Sequence, residues 1–373
     1  MPFLLIAFAC AFVATLLIVR SSSHHAHLSG DTDRDGPQKF HAVVVPRIGG
    51  IGIAAGLSAA AFAAWQHVDH DRNTLLALGV GSSLAFAAGL LEDFTKRVSP
   101  LMRMLAMVVA AGLALAMGGG EILKTDISLL DAMMGVTGFS VALTLFTVAG
   151  VSNSINIIDG FNGLASMCVA IMLAVVAYVA FQVGDTLVFD CALAGIGAAL
   201  GFFCWNYPFG RVFLGDGGAY LLGFWVAELS ILLVQRNALV SPMFPLLLCI
   251  YPVFETVFSM YRRKFVRGRP VGQPDATHLH SLIYRRLMRW AVGRHDPETM
   301  LRRNSMTSPY LWVLCSIAAI PALIWWNDSN ALQWMIALFC FTYIALYRSI
   351  VRFQTPRMLV RKRSIPQVLE SAG

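Results

Sequence analysis

The chain has 373 residues, of which 57% are hydrophobic and 13% charged, with a formal net charge of +7. That charged fraction is roughly half that of a soluble domain, so a water-soluble globular fold is excluded. Apolar runs about 15–20 residues long recur along the whole length, and the fold class they predict is all-α, a polytopic helical membrane protein.

Eleven spans are predicted, at about 3–19, 48–65, 74–91, 102–117, 139–151, 164–183, 192–204, 219–234, 244–260, 310–326 and 331–346. They make one integral-membrane unit over 1–346, followed by a basic tail, 347–373. The first run lacks a basic residue ahead of it and carries Arg20 behind it, so it reads as a retained helix and not a cleaved signal. With odd spans running outside to inside, 25 of the 28 Lys and Arg fall in inner segments, leaving Arg72, Lys124 and Arg236 outside. The positive-inside rule then places the N-terminus outside and the C-terminus in the cytoplasm. The basic excess reads as topology and attraction to anionic lipid heads, with no nucleic-acid partner. The seven cysteines lie in or at the ends of apolar runs without a CxxC pair, which excludes a disulfide or metal framework.

The polar chemistry collects in the inner loops 20–47, 92–101, 152–163, 205–217 and 261–309. The first loop brings Lys39, His41 and Arg47, the last followed by Gly49 and Gly50, which permit close backbone approach to a ligand. Its earlier histidines, His24, His25 and His27, read as a solvated linker. Glu92 and Asp93 end a helix against its dipole and need a cation, a base or a ligand beside them. The outer segment 118–138 alternates weakly over 122–130, as a short hairpin would.

Between two apolar runs lies Asn153-Ser-Ile-Asn156-Ile-Ile-Asp159-Gly-Phe-Asn162-Gly163, with three amides, one carboxylate and two glycines in eleven residues. At membrane depth such groups require partners, so they mark a polar site. Asp216 stands among glycines before the next helix, where backbone amides and the helix N-terminus favour an anion. Glu228 and Glu255 sit inside predicted helices and are functional candidates for that reason. His278 and His280 form an H-x-H pair, which shares one face in extended chain. Residues 281–294 then read as a basic amphipathic helix on the headgroups. Carboxylates, amides, imidazoles and bases on one face suit Mg2+ bound through a few protein oxygens and substrate phosphates, with Mn2+ as a substitute.

The motifs in this order resemble the polyprenyl-phosphate N-acetylhexosamine-1-phosphate transferases, which include the undecaprenyl-phosphate N-acetylglucosaminyl-1-phosphate transferases and the peptidoglycan translocase. The matching residues are Lys39-x-His41 with Pro46-Arg47-x-Gly-Gly, Glu92-Asp93, Asn153-x-x-Asn156-x-x-Asp159-Gly-x-Asn162-Gly-Leu164, Phe213-Leu-Gly-Asp216 and the His loop at 278–280. The resemblance implies transfer of an amino-sugar 1-phosphate, GlcNAc first, from a UDP-sugar to undecaprenyl phosphate, releasing UMP and starting a surface polysaccharide such as O-antigen. It implies a multi-pass protein of the bacterial inner membrane, with a cytoplasmic active site and room for a homodimer. By motif, Asn156 and Asp216 would hold the metal, and Asp93 with Glu92 would stand by the attacking phosphate. Asp159 and Asn162 would stand by the nucleotide or diphosphate, with His278 and His280 on diphosphate or sugar; Lys39, His41, Arg47 and Asn153 would bind substrate. The chain departs from the usual pattern at Glu92 for a first Asp, Ala219 for Ser, Ser281 for a further His, and Asn162 for an acid. A 6-deoxy donor, FucNAc or QuiNAc, is the alternative, and a lipid or nucleotide-sugar transporter the reading from another class.

Overall fold

The computed structural model describes residues 1–23, 45–65, 71–136, 138–266, 268, 277–288 and 297–352. Lys39, His41, the three early histidines and the tail beyond 352 lie outside them. Among the described residues there are helices and no strands. In chain order the helices are α1 (Pro2–Arg20), α2 (Gly50–Trp65), α3 (Arg72–Thr95), α4 (Pro100–Ala116), α5 (Ser128–Met133), α6 (Phe139–Ile158) and α7 (Leu164–Val183). They continue with α8 (Thr186–Asn206), α9 (Gly215–Arg236), α10 (Met243–Leu248), α11 (Ile250–Tyr261), α12 (Leu279–Leu282), α13 (Pro297–Ile324) and α14 (Ser329–Val351).

Eight of these helices, α1, α3, α6, α7, α8, α9, α13 and α14, are long and apolar enough to cross a membrane; α2 and α4 are shorter apolar helices. Local signals set several ends. Pro100 occupies the first turn of α4 and Ser99 accepts from the Met102 amide at 3.3 Å. Asp185 caps α8 through the Val188 amide at 3.2 Å, and Asp328 caps α14 through Asn330 and Ala331.

Helix α9 is the axis of the bundle. Every residue from 215 to 233 is buried, and α3, α6, α7 and α2 pack round it. On one flank α8 packs against α1 and α2. Small residues permit this approach: a Cβ on Gly197 would stand 2.2 Å from the Leu4 carbonyl oxygen. On the other flank α13 packs on α7 and α10 on α14.

Three expectations change. The predicted span 244–260 is two helices, α10 and α11, that meet at Cys249. Pro252 has no N–H for the Leu248 carbonyl and its ring crowds that oxygen, which disfavours a continuous helix there. Helix α13 begins at Pro297, well before the apolar run at 310, because Arg303, Asn304, Ser305, Thr307 and Ser308 are buried against the loops instead of solvated. The outer segment is not a hairpin. Its backbone amides bond side chains instead, Gly120 to Glu228, Ile122 to Thr144 and Thr125 to Asp131, before the short α5. Of the predicted helix 281–294, residues 281–288 are helical, with wider turns from Ile283 to Met288, and the remainder lies outside the described residues.

Candidate active site

One end of the bundle gathers the loops after α3, α6, α8 and α11. The chain entering α2 is fastened to the loop before α9: Phe213 donates to the Pro46 carbonyl at 2.8 Å, Gly49 to Phe213 at 2.9 Å and Gly50 to Leu214 at 2.9 Å. This brings Arg47 over the N-terminus of α9. Gly215 there has φ +74°, and a Cβ would lie 2.0 Å from the Arg47 carbonyl oxygen, so only glycine fits.

Asp216 is the hub. Arg103 of α4 donates to its Oδ2, Asn156 Nδ2 of α6 donates to Oδ1 at 3.1 Å, and Arg47 Nη2 stands 3.6 Å from Oδ1. Asp159, at the end of α6, faces this cluster closely enough to feel Asp216, Arg47 and Asp93. Burial first, and then the Asp216 carboxylate, push its acid group up to about 8. The amide of Asn153 lines the same cavity.

Asp93 takes another place. Its side chain is 1% exposed, and its two oxygens accept from the Asp216 amide at 2.8 Å and the Gly217 amide at 2.9 Å. The anion that meets the α9 N-terminus is therefore the protein's own carboxylate, which caps the helix and orients Asp216. Glu92 does line the cavity, and its Oε2 accepts from the Val98 amide at 2.7 Å.

Asn162 is buried among loop contacts. Its amide N–H donates to Asn304 Oδ1 at 2.9 Å, its Nδ2 to the Pro208 carbonyl at 3.1 Å, and its carbonyl accepts from Ser308. His278 ends the loop before α12 and His280 lies in its first turn, with the rings stacked 5.1 Å apart at 8°. The H-x-H pair thus shares a face without an extended strand, because His278 sits at the non-helical cap position. Glu255 holds this loop: Oε1 stands 3.1 Å from His278 Nδ1 and accepts from the Leu279 amide at 2.9 Å, and Oε2 accepts from Tyr343 Oη at 2.6 Å. Glu228 accepts from the Gly120 amide at 3.0 Å and lies outside the cavity wall.

Sequence reasoning missed Arg103, Asn206, Asn304 and the anchoring role of Glu255. Asn206, at the end of α8, accepts from the Gly163 amide and donates to Val212 at 2.7 Å, joining two site loops. A lone amide closing an apolar run was the available signal. Arg103 lies one turn inside α4, beside no motif that would single it out.

These groups head a cavity of about 1450 Å3. Its polar end holds Arg47, Arg103, Asp159, Asp216, His278 and His280. Its wall continues along α6, α9 and α11 with Phe146, Ile231, Val234, Val253 and Val257. An anionic head and a long apolar tail fit such a shape.

A family model described as glycosyl transferase family 4 matches residues 75–234. Over that segment the chain is similar to glycosyl transferase family 4. A probable undecaprenyl-phosphate N-acetylglucosaminyl 1-phosphate transferase of Bacillus subtilis is 26% identical over 281 residues, 74% of this chain and 76% of the relative. An undecaprenyl-phosphate alpha-N-acetylglucosaminyl 1-phosphate transferase of Escherichia coli O157:H7 is 29% identical over 281 residues, 74% of each chain. That of Salmonella typhi is 28% identical over 284 residues, again 74% of each. The chain is therefore an enzyme, a membrane transferase similar to these proteins, and the matched region contains the α3, α6 and α9 members of the site.

Among the described residues no group of three His, Cys, Asp or Glu side chains could hold a metal ion. The oxygen donors present are the Asp216 and Asp159 carboxylates and the Asn156 amide. That sparse, hard set fits Mg2+, which keeps several waters or substrate phosphates among its ligands.

Proposed function

We propose that the chain transfers an N-acetylamino-sugar 1-phosphate, GlcNAc-1-phosphate first, from a UDP-sugar to undecaprenyl phosphate. The products are undecaprenyl-diphosphate-sugar and UMP, and the reaction begins a surface polysaccharide such as O-antigen. The observation that carries this reading is the joining of Asp216, Asp159, Arg47 and Arg103 to an apolar wall within one cavity. A lipid phosphate needs both parts, and so does a reaction whose second substrate is a water-soluble diphosphate. The activities named for the relatives support this reading. The concentration of Lys and Arg in the inner loops supports a cytoplasmic active site in the bacterial inner membrane.

An oxygen of the acceptor phosphate attacks the β-phosphorus of the donor. The bond from that phosphorus to the oxygen it shares with the α-phosphate breaks, and UMP leaves with the bonding electrons. With a second pKa of about 6, roughly nine-tenths of the acceptor is dianionic at pH 7, so no side chain has to remove a proton. Arg47 and Arg103 hold phosphate oxygens and balance charge in a cavity screened from water. Asp216, Asp159 and Asn156 would hold Mg2+, which when bound neutralises diphosphate oxygens. Asn162 and the two histidines position the nucleotide, diphosphate or sugar, and Glu255 fixes the histidines. Asp93 keeps the α9 N-terminus in register, and both of its oxygens are already engaged, which favours direct attack over a phospho-aspartyl intermediate.

Purified protein with undecaprenyl phosphate, Mg2+ and labelled UDP-GlcNAc should move label into the lipid phase, and Asp216→Ala or EDTA should abolish the transfer. Transfer from a UDP 6-deoxy amino sugar but not UDP-GlcNAc would move the donor. Transfer from no UDP-amino sugar by folded protein would sink the proposal.

A further inference from the structure

Tyr220 stands one turn beyond Asp216 on α9, and no motif drew attention to it. The residue is 2% exposed, yet its side chain lines the cavity. Its phenol makes no hydrogen bond to the described residues, and the oxygen is open to the cavity where that of buried Tyr251 is sealed. A buried hydroxyl is normally paired. One that faces a cavity beside charged groups has its partner in whatever fills the cavity. Its charged neighbours are Asp216, Arg103 and Glu92.

Its position along α9 identifies that partner. Asp216, Tyr220, Ala227, Ile231 and Val234 all line the cavity, as their spacing along one helix face allows. Tyr220 ends the polar end, and from there to Val234 the wall runs about 21 Å along the helix axis, at 1.5 Å per residue. The donor-facing groups Asn162, His280 and Asn304 come from other elements, α6–α7, α12 and α13. Tyr220 belongs instead to the side of Arg103 and Glu92, where α3 packs on α9 and Arg103 of α4 reaches Asp216. A tyrosine suits that boundary because its ring meets hydrocarbon while its hydroxyl serves an anion.

Resting on the function proposed above, we infer that the Tyr220 phenol donates a hydrogen bond to the phosphate of the prenyl-phosphate acceptor. Together with Arg103 it marks where the headgroup ends and the prenyl chain begins. Tyr220 is thus a positioning residue for the acceptor and not for the UDP-sugar.

The test is binding without turnover. The full-length protein in detergent is titrated with undecaprenyl phosphate, undecaprenol and a dioleoyl phosphatidic acid control, as wild type, Tyr220→Phe and Tyr220→Met. Both variants remove the hydroxyl and keep a large apolar side chain, one with the ring and one without, so a folding defect in one does not decide the result. A hydrogen bond to a charged group predicts a Kd for undecaprenyl phosphate raised about tenfold or more in both variants. Undecaprenol should bind all three proteins within about twofold. Equal affinity of wild type and variants for undecaprenyl phosphate overturns the inference, as does an equal loss for undecaprenol. An equal loss for phosphatidic acid overturns the assignment to the prenyl acceptor. In turnover, the acceptor KM should rise in Tyr220→Phe while the donor KM stays constant. Failure of the wild type to transfer sugar phosphate would remove the proposed reaction, whereas the binding ratios bear on Tyr220 alone.

Discussion

The two ends of the bundle use similar residues to different effect. At the end away from the site Arg236 donates to Asp71 at 2.8 Å and to Asp185 at 2.9 Å, and Asn237 adds a second bond to Asp185. Asp126 is paired with Lys124 and Ser329, and Glu228 with the Gly120 amide. These acids join helices to one another or to the segment 118–127. At the site end Asp216 has two arginines and an amide round it, yet it still borders the cavity, and Asp159 has only charges for company among the described residues. The same carboxylates are structural where their partners complete them and chemical where an open cavity leaves room for a ligand.

The largest expected effect that sharpens this contrast is on turnover. Asp216→Ala should lower label transfer about a thousandfold, the scale seen when one group that meets developing charge is removed. Arg236→Ala should leave turnover within about twofold and lower the thermal midpoint by a few degrees, because it removes the charge partner of Asp185, whose side chain is 2% exposed and which keeps, among the described residues, only the Val188 amide and Asn237. If Arg236→Ala cost as much activity as Asp216→Ala, the division of roles between the two ends would fail.

A smaller effect is expected at the His loop. Glu255→Gln exchanges a carboxylate accepting from three donors for an amide that cannot accept from all of them. Turnover should fall about ten- to a hundredfold by displacement of His278, with a folded protein by circular dichroism. An unchanged rate would mean that the loop is held without Glu255.

The smallest effect is a proton count. With Asp159 pushed up to about 8, roughly nine-tenths of it is protonated at pH 7 without metal. Mg2+ binding should then release nearly one proton at pH 7 and little at pH 9, read from the buffer dependence of the calorimetric heat. The same shift fixes a stability trend. The folded state holds this proton up to about pH 8 and the unfolded chain loses it near pH 4. Its contribution to stability is complete below pH 4 and lost as pH rises through 8. Asp159→Asn should therefore raise the midpoint of the metal-free protein at pH 8–9 and leave it unchanged at the acid end.

The apolar runs alone determined that this chain is a helical membrane protein, because hydrocarbon tolerates only backbone whose polar groups are paired within the segment. The motif loops could be read for the same reason, since Asn, Asp and Gly between apolar runs stand out against their surroundings. Sequence could not show that span 244–260 breaks at Cys249, since its apolar count is unaffected by a lost carbonyl partner. Nor could it show that 297–309 is helical or that Arg303, Asn304, Ser305, Thr307 and Ser308 are buried, since several of these polar groups find partners distant in the chain, as Asn304 does in Asn162.

The tertiary structure also decided which acid does what. Glu92 and Asp93 are neighbours in sequence, but the turn of α3 sends one to the cavity and the other to the buried N-terminus of α9. Residue type and order determined the membrane fold and the site's composition. Roles within the site depended on packing, because a carboxylate's partners are set by which helix end or cavity wall it meets across the bundle.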